Sequence, residues 1–279
     1  MKKIALLHTG IRLDEKLIIE AAEKRRIHIE LVNFNEVILD PQQIDYWLQF
    51  DCLLERCVST VKGNAAIEFF SNLGLRIVNN KQIMNICNDK FQTSTILTKH
   101  KVPHLKSILV FGENQVRQAV DMLGGYPVVI KSREGSWGRF VSKVNDEDSL
   151  EAIFDLRCQV GVTHQAHIVQ KYISKKNNRD IRAATIDGKV VAAIYRTTEH
   201  WITNTARGAK ATYCPIDEDL QNICKMASDA VGGGILGIDV FETDTGYIIN
   251  EINHTMEYKN VQAATGINIA DKILDFCVG

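Results

Sequence analysis

The stretch 239–253, DVFETDTGYIINEIN, places an Asp, then a Glu and an Asn separated by one Ile, on segments that otherwise read as buried strands. Burying a carboxylate costs several kcal/mol unless a partner neutralises it. A positive group is therefore expected between Asp239, Glu251 and Asn253. Around the turn ETDTG, ILGIDVFET and GYIINEIN read as antiparallel partners. Glu251 and Asn253 share one strand face because side chains alternate, and Asp239 is expected near the end of the partner strand. Three converging oxygens suit Mg²⁺, which takes one or two carboxylates and completes its shell with phosphate oxygens. The alternative is a set of exposed polar residues on a sheet edge. The apolar flanks Ile238, Val240, Ile249 and Ile252 count against exposing the whole face.

Working outward, the glycines at 232–234 follow a helix DLQNICKMASDAV. Before it, RDIRAATIDGKVVAAIYR reads as a hairpin with Asp187-Gly188 at its turn. These segments form a third unit, residues 168–279. The first unit, residues 1–86, alternates strands (3–8, 29–34, 51–55, 75–79) with helices (13–25, 64–73), the pattern of a small parallel sheet. Such sheets bind ligands beyond the carboxyl ends of their strands, so Arg12, Arg56 and Ser59 are expected to face a cleft. One long helix across KQIMNICNDKFQTSTILTKHK leads from the first unit into the middle unit, 87–167. That unit continues with a helix over 113–123, strand YPVVIKS, the turn REGSWGRF, strand VSKV and a helix over 146–154.

Composition narrows the function classes. A 279-residue chain with net charge −1 offers no field for nucleic acid or a membrane surface. MKKIALLHTG has only a short apolar run and reads as a first strand rather than a signal peptide. Seven scattered cysteines without a CxxC argue for reduced thiols in the cytoplasm, most of them small core hydrophobes.

Further groups have two readings each. The GSWG loop (135–138) with Arg139 is either a plain hairpin turn or a backbone cradle for phosphate. Lys131, closing the strand PVVIK, either snorkels to solvent or reaches the same phosphate. Lys90 is similarly placed on a helix. In RDIR, Asp180 and Arg182 share a strand face and either pair with each other or, with Arg196 and NTARG (204–208), capture phosphate or carboxylate. His8, His200 and His254 read as structural residues.

In this order, Lys90, Lys131, GSWGR, QKYI, RDIR and D…E-x-N resemble the ATP-grasp superfamily and its RimK-like branch. The ERCVS, HWITNTARG and NEINHTMEYKN segments resemble the amino-group carrier protein ligases of lysine and arginine biosynthesis, and the likeness covers essentially the full chain. It implies an α/β ATP-grasp fold: an N-terminal parallel-sheet pre-ATP-grasp domain and two α+β subdomains clasping ATP. It implies that Lys90 and Lys131 meet phosphates under a lid of Gly135, Ser136, Trp137, Gly138 and Arg139. The hinge Gln170, Lys171, Tyr172 and Ile173 meets adenine, and Asp180 belongs to the nucleotide-binding set. Asn204 and Arg196 lie at the phosphate end, and with Lys131 and Arg182 they form the catalytic set. Arg182, Thr205, Ala206, Arg207, Glu257, Lys259 and Asn260 meet the amino-acid substrate, and Asp239, Glu251 and Asn253 hold two Mg²⁺ ions.

The implied reaction activates a carboxylate as an acylphosphate, which an amine then displaces. The implied carboxylate donor is the C-terminal Glu side chain of a small acidic carrier protein. The implied amine is α-aminoadipate, with glutamate or dual use as the alternative, and the enzyme is expected to be a homo-oligomer. Two positions depart from the pattern: Lys171 stands where an acidic residue is usual, and Asn260-Val261 stands where aminoadipate enzymes carry Asn then Ser or Thr. A RimK-like glutamate ligase acting on another protein and a catalytically dead nucleotide-binding regulator remain as alternatives.

Overall fold

A computed structural model describes residues 2–135, 140–158, 166–205 and 208–279. Three sheets organise them. The first is wholly parallel, with β1 (Lys3–His8) between β2 (His28–Asn33) and β3 (Cys52–Glu55), and β4 (Ile77–Val78) beyond β3. Helix α1 (Leu13–Arg25) spans the residues that its periodicity marks, and α2 (Thr60–Asn72) begins four residues before the expected start. Ser59 explains the early start: its hydroxyl accepts from Lys62 N and caps the first turn. Ser59 is thus spent on the helix, and Arg56 turns its guanidinium to Glu15 and to the Met256 carbonyl. Of the three residues expected to face the cleft from this sheet, only Arg12 lines it.

The expected long helix is two, α3 (Lys81–Asn88) and α4 (Lys90–Lys99). Asp89 breaks it. Its backbone is extended (φ −104°, ψ 109°), and its carboxylate accepts from Phe91 N at 2.9 Å and Gln92 N at 3.2 Å while pairing with Arg133. An Asp that caps a new helix competes with continuation of the old one.

The second sheet has the order β5 (Ser107–Val110), β8 (His167–Lys171), β6 (Val128–Ser132), β7 (Val141–Val144). It is covered by α5 (Glu113–Met122) and α6 (Glu147–Cys158), whose Val116, Ala119, Leu150 and Phe154 form its core with Val128 and Ile130. Strand β8 pairs with β5 and β6, so this sheet extends through Lys171 rather than stopping before 168.

The third sheet is antiparallel, ordered β11 (Lys210–Tyr213), β10 (Lys189–Thr197), β9 (Arg179–Ile186), β12 (Ile235–Thr243), β13 (Gly246–Asn253). The β9–β10 turn has positive φ at both Asp187 (47°) and Gly188 (77°), as a tight two-residue hairpin requires. One face packs α3, α4 and α7 (Glu218–Val231) against Ile181, Ala183, Leu236 and Ile238. At its far end the other face joins the first sheet through α1, α8 (Lys259–Thr265) and α9 (Ile269–Val278), with Ala184, Ile186, Tyr258 and Ile273 in one core. Asp14 fastens this junction by accepting from Tyr258 N at 2.6 Å and Lys259 N at 3.0 Å. No described helix is long and apolar enough to cross a membrane.

Candidate active site in the cleft between the sheets

Alternation along the third sheet decides what faces the cleft. On β9, Asp180, Arg182, Ala184 and Ile186 share a face; their register partners on β10 are Arg196, Ile194 and Ala192. Across β12 the register sets Arg182 opposite Asp239, and Asp239 opposite Glu251 on β13. Asp239 therefore sits within β12, beside a register shift at 239/240, rather than near its end. The apolar half of this face closes the core, and the charged half forms a cleft floor.

The charges alternate in sign and hold one another. Arg196 grips Asp180 with two bonds, 2.7 and 2.8 Å, and reaches Asp239 Oδ1 at 3.0 Å. Arg182 Nε lies 3.0 Å from the same oxygen. Asp180 and Arg182 thus do not pair with each other; each takes a partner on the neighbouring strand. Lys90 Nζ lies 3.6 Å from Glu251 Oε1 and donates to the Gly135 carbonyl at 2.6 Å. Lys131 Nζ donates to Asn250 Oδ1 at 3.2 Å. The positive groups expected between the acids are, in this chain, its own arginines and lysines.

Environment moves the titrations. Burial pushes the Asp239 carboxyl up against the pull of Arg182 and Arg196. Burial also opposes ionisation of Glu251, but Lys90, Lys131 and the two arginines together hold it below the ordinary range. Burial lowers Lys131. It lowers His254 to about 4, so that this cleft-lining imidazole is neutral near pH 7.

Asp239, Glu251 and Asn253 supply only hard oxygen ligands on two paired strands. Asp239 Oδ1 is buried between Arg182 and Arg196, 3.0 Å from each, and neither contact is aligned as a hydrogen bond, so the oxygen keeps acceptor capacity for a metal ion. Asn253 Nδ2 faces the Gly237 carbonyl at 3.4 Å. Among the described residues no three His, Cys, Asp or Glu side chains gather, so the set is two carboxylates and an amide. It fits Mg²⁺.

The cleft, roughly 290 Å³, is lined from all three sheets. Gly135, the hinge 170–173, Asn204, Thr205, Glu257, Lys259 and Asn260 all border it. Ser136, Trp137, Gly138, Arg139, Ala206 and Arg207 lie outside the described residues. Within the hinge, Gln170 Nε2 donates to Ser107 Oγ at 2.8 Å. Lys171 donates to the carbonyls of Gly124 and Gly125 at 3.2 and 2.9 Å, so its ammonium is committed to the α5–β6 turn. Tyr172 N–H is bonded to the Pro127 carbonyl at 3.1 Å. Arg12 pairs with Glu257 at 2.8 Å.

Among the cleft residues that escaped the sequence reading are Glu55 and Lys175. Glu55 ends the apolar strand CLLE just as Lys131 ends PVVIK, so the same signal was available for both. Lys175, in SKKNN, carried no signal. Its ammonium donates to Thr203 Oγ1 at 2.6 Å and the Trp201 carbonyl at 2.8 Å, tying the hinge to the loop that bears Asn204. Thr203 in turn donates to Asp180. Burial lowers Lys175 to about 8. The unfolded chain keeps this proton up to 10.5, so between pH 8 and 10.5 the unfolded state binds more protons and stability rises with pH. Urea unfolding at pH 7.5 and pH 10 should show the wild type gaining about 2–3 kcal/mol on Lys175→Met across that interval. A constant difference between the two proteins would count against a desolvated ammonium.

The profile of the RimK-like ATP-grasp domain matches residues 87–277, and that of the LysX preATP-grasp domain matches residues 4–86. The alpha-aminoadipate–LysW ligase LysX of Sulfurisphaera tokodaii is 36% identical over 227 residues, covering 80% of this chain and 79% of the relative. The glutamate–LysW ligase ArgX of the same organism is 29% identical over 279 residues, covering 98% and 97%. The crystal structure of a RimK domain ATP-grasp protein from Sphaerobacter thermophilus superposes with a TM-score of 0.84 at 24% identity, over 99% of this chain and 100% of that one.

Proposed function

The chain belongs to the RimK-like ATP-grasp family and is an ATP-dependent ligase, and we propose that it joins the amino group of α-aminoadipate to the C-terminal Glu side-chain carboxylate of a small acidic LysW-like carrier protein in the cytoplasm. The observation that carries this reading is the convergence of Lys90, Arg182 and Arg196 on Asp239 and Glu251 at the floor of one cleft, which Lys131, bonded to Asn250, also lines.

A carboxylate is a poor acyl donor because oxide is its leaving group. Transfer of the γ-phosphoryl group of ATP replaces that leaving group with phosphate, and the amine then forms the amide. Such a reaction needs positioning and cation density rather than a protein nucleophile. In this reading Lys90 and Lys131 meet the phosphates from the second unit, and Arg196 and Asn204 meet them from the third. Asp180, held by two bonds from Arg196 and one from Thr203, fixes the guanidinium in place. Arg182 and Asn260 face the amino acid. Asp239, Glu251 and Asn253 would hold Mg²⁺, which supplies charge neutralisation on the phosphate oxygens. In this reading the hinge 170–173 meets adenine through backbone groups, since the Lys171 ammonium is bonded to a neighbouring turn.

Val261 is buried beside Tyr258 and Ile269 yet borders the same cleft as Asn260, so both residues of the pair are placed to bear on selection between amino acids. Glutamate is the second reading, favoured by the ArgX relative that spans nearly the whole chain. Mass spectrometry of a LysW-type carrier after incubation with enzyme, ATP, Mg²⁺ and an equal mixture of both amino acids tests the assignment. We expect the aminoadipate adduct. A glutamate adduct transfers the assignment to the second reading, and an unmodified carrier overturns both.

A further inference from the structure

We propose that Glu55 receives the ammonium group of the amino-acid substrate, an inference that rests on the ligase reading above. Of the other acids that border the cleft, Glu134 is exposed to solvent, and the rest already have cations: Asp180 holds Arg196, Asp239 holds Arg182 and Arg196, Glu251 holds Lys90, and Glu257 holds Arg12. Glu55 has none within 4.0 Å among the described residues. Its neighbour Arg56 bonds Glu15 and the Met256 carbonyl and forms no ion pair with Glu55. Yet the Glu55 carboxyl is only 5% exposed and borders the same cleft as Asn253, Glu257 and Asn260.

The place is built for this carboxyl. Glu55 closes β3 at the carboxyl edge of the parallel sheet, where ligands of such sheets bind. Its Oε1 accepts from Cys57 N at 2.6 Å, and its Oε2 accepts from Thr255 Oγ1 at 3.0 Å. Helix α2 makes room with Gly63, where a Cβ would lie 2.6 Å from Oε1. The bond to Thr255 ties the carboxyl to the segment that continues β13 beyond Asn253. A buried carboxyl with hydrogen-bond donors and no cation is stabilised when a cation arrives. An amino acid with a carboxylate side chain brings one ammonium and two carboxylates, and arginines are at hand for the latter. Burial pushes the Glu55 carboxyl up when no ligand is bound, consistent with an acid awaiting its partner.

The test compares α-aminoadipate with adipate, which differs only in lacking the amine, by calorimetry on the full-length protein. The wild type should prefer α-aminoadipate by about tenfold or more, the range of a charge-assisted hydrogen bond. In Glu55→Gln the preference should shrink to within about twofold, while ATP affinity holds. Gly63→Ala, which displaces the carboxyl without removing its charge, should shrink it partway. If the protein uses glutamate, glutamate and glutarate replace the pair. A Glu55→Gln protein that keeps the wild-type preference, or a wild type that has none, overturns the proposal. The carrier mass-spectrometry assay on the wild type fails only if the ligase reading fails, so the two results are separable. A role for Glu55 confined to holding Thr255 would weaken both diacids equally.

Discussion

Asp239→Ala should unfold in urea at a markedly lower midpoint than the wild type in the absence of ligand, a loss of about 3–5 kcal/mol. The loss comes from the arginine side. Asp239 is 6% exposed and stands 3.0 Å from Arg182 and from Arg196. Arg196 retains Asp180 after the substitution, but Arg182 has no other ion-pair partner among the described residues, and its Nη1 already lacks a hydrogen bond. A guanidinium left buried without a counter-charge pays its desolvation in full. Asp239→Asn keeps the shape and should cost less. Double replacement of Asp239 and Arg182 by Ala and Leu should recover part of the loss, because it removes the orphaned charge together with its partner. A wild-type midpoint for Asp239→Ala would mean that water reaches Arg182 and that the charge row is not a structural unit.

Lys131→Met should separate activity from folding. Amide formation, followed by ADP release in the presence of carrier and amino acid, should fall by about 10²–10³-fold, the effect of removing one fixed cation from a site of developing charge. The melting temperature should barely move. Met preserves the stem that packs at the end of β6, and the ammonium it replaces is one whose pKa burial has already lowered. The acceptor that loses its partner is Asn250, which has the open cleft before it. Activity within threefold of the wild type would remove Lys131 from the phosphate machinery and leave Lys90, at the start of α4, as its remaining lysine. An equal collapse of stability and activity would show that Lys131 is a structural cation for Glu251.

Much of this architecture is written in short-range pattern. Apolar spacing marks α1 to the residue, and Asp187-Gly188 marks the β9–β10 turn, because both reflect local geometry that any neighbourhood must respect. The GYIINEIN alternation correctly sets Glu251 and Asn253 on one face, and the partner strand is the expected one. Where local rules competed, the pattern misled. The apolar periodicity of 81–101 runs through Asp89, whose carboxylate ends one helix and starts another with help from Arg133 on a distant strand end.

The amino-acid sequence by itself determined most of the elements, the alternation of faces along the strands, and the family to which the chain belongs. Only the tertiary structure decided which charge answers which: Asp180 with Arg196 instead of Arg182, Lys171 with the carbonyls of a neighbouring turn, Arg56 with a carbonyl 200 residues along the chain, Glu55 with no cation among the described residues. The physical reason is that helix and strand periods follow from backbone sterics within a few residues. The choice of ion partner depends on strand register and burial across elements far apart in the chain, where a shift of one residue would exchange every partner on the cleft floor.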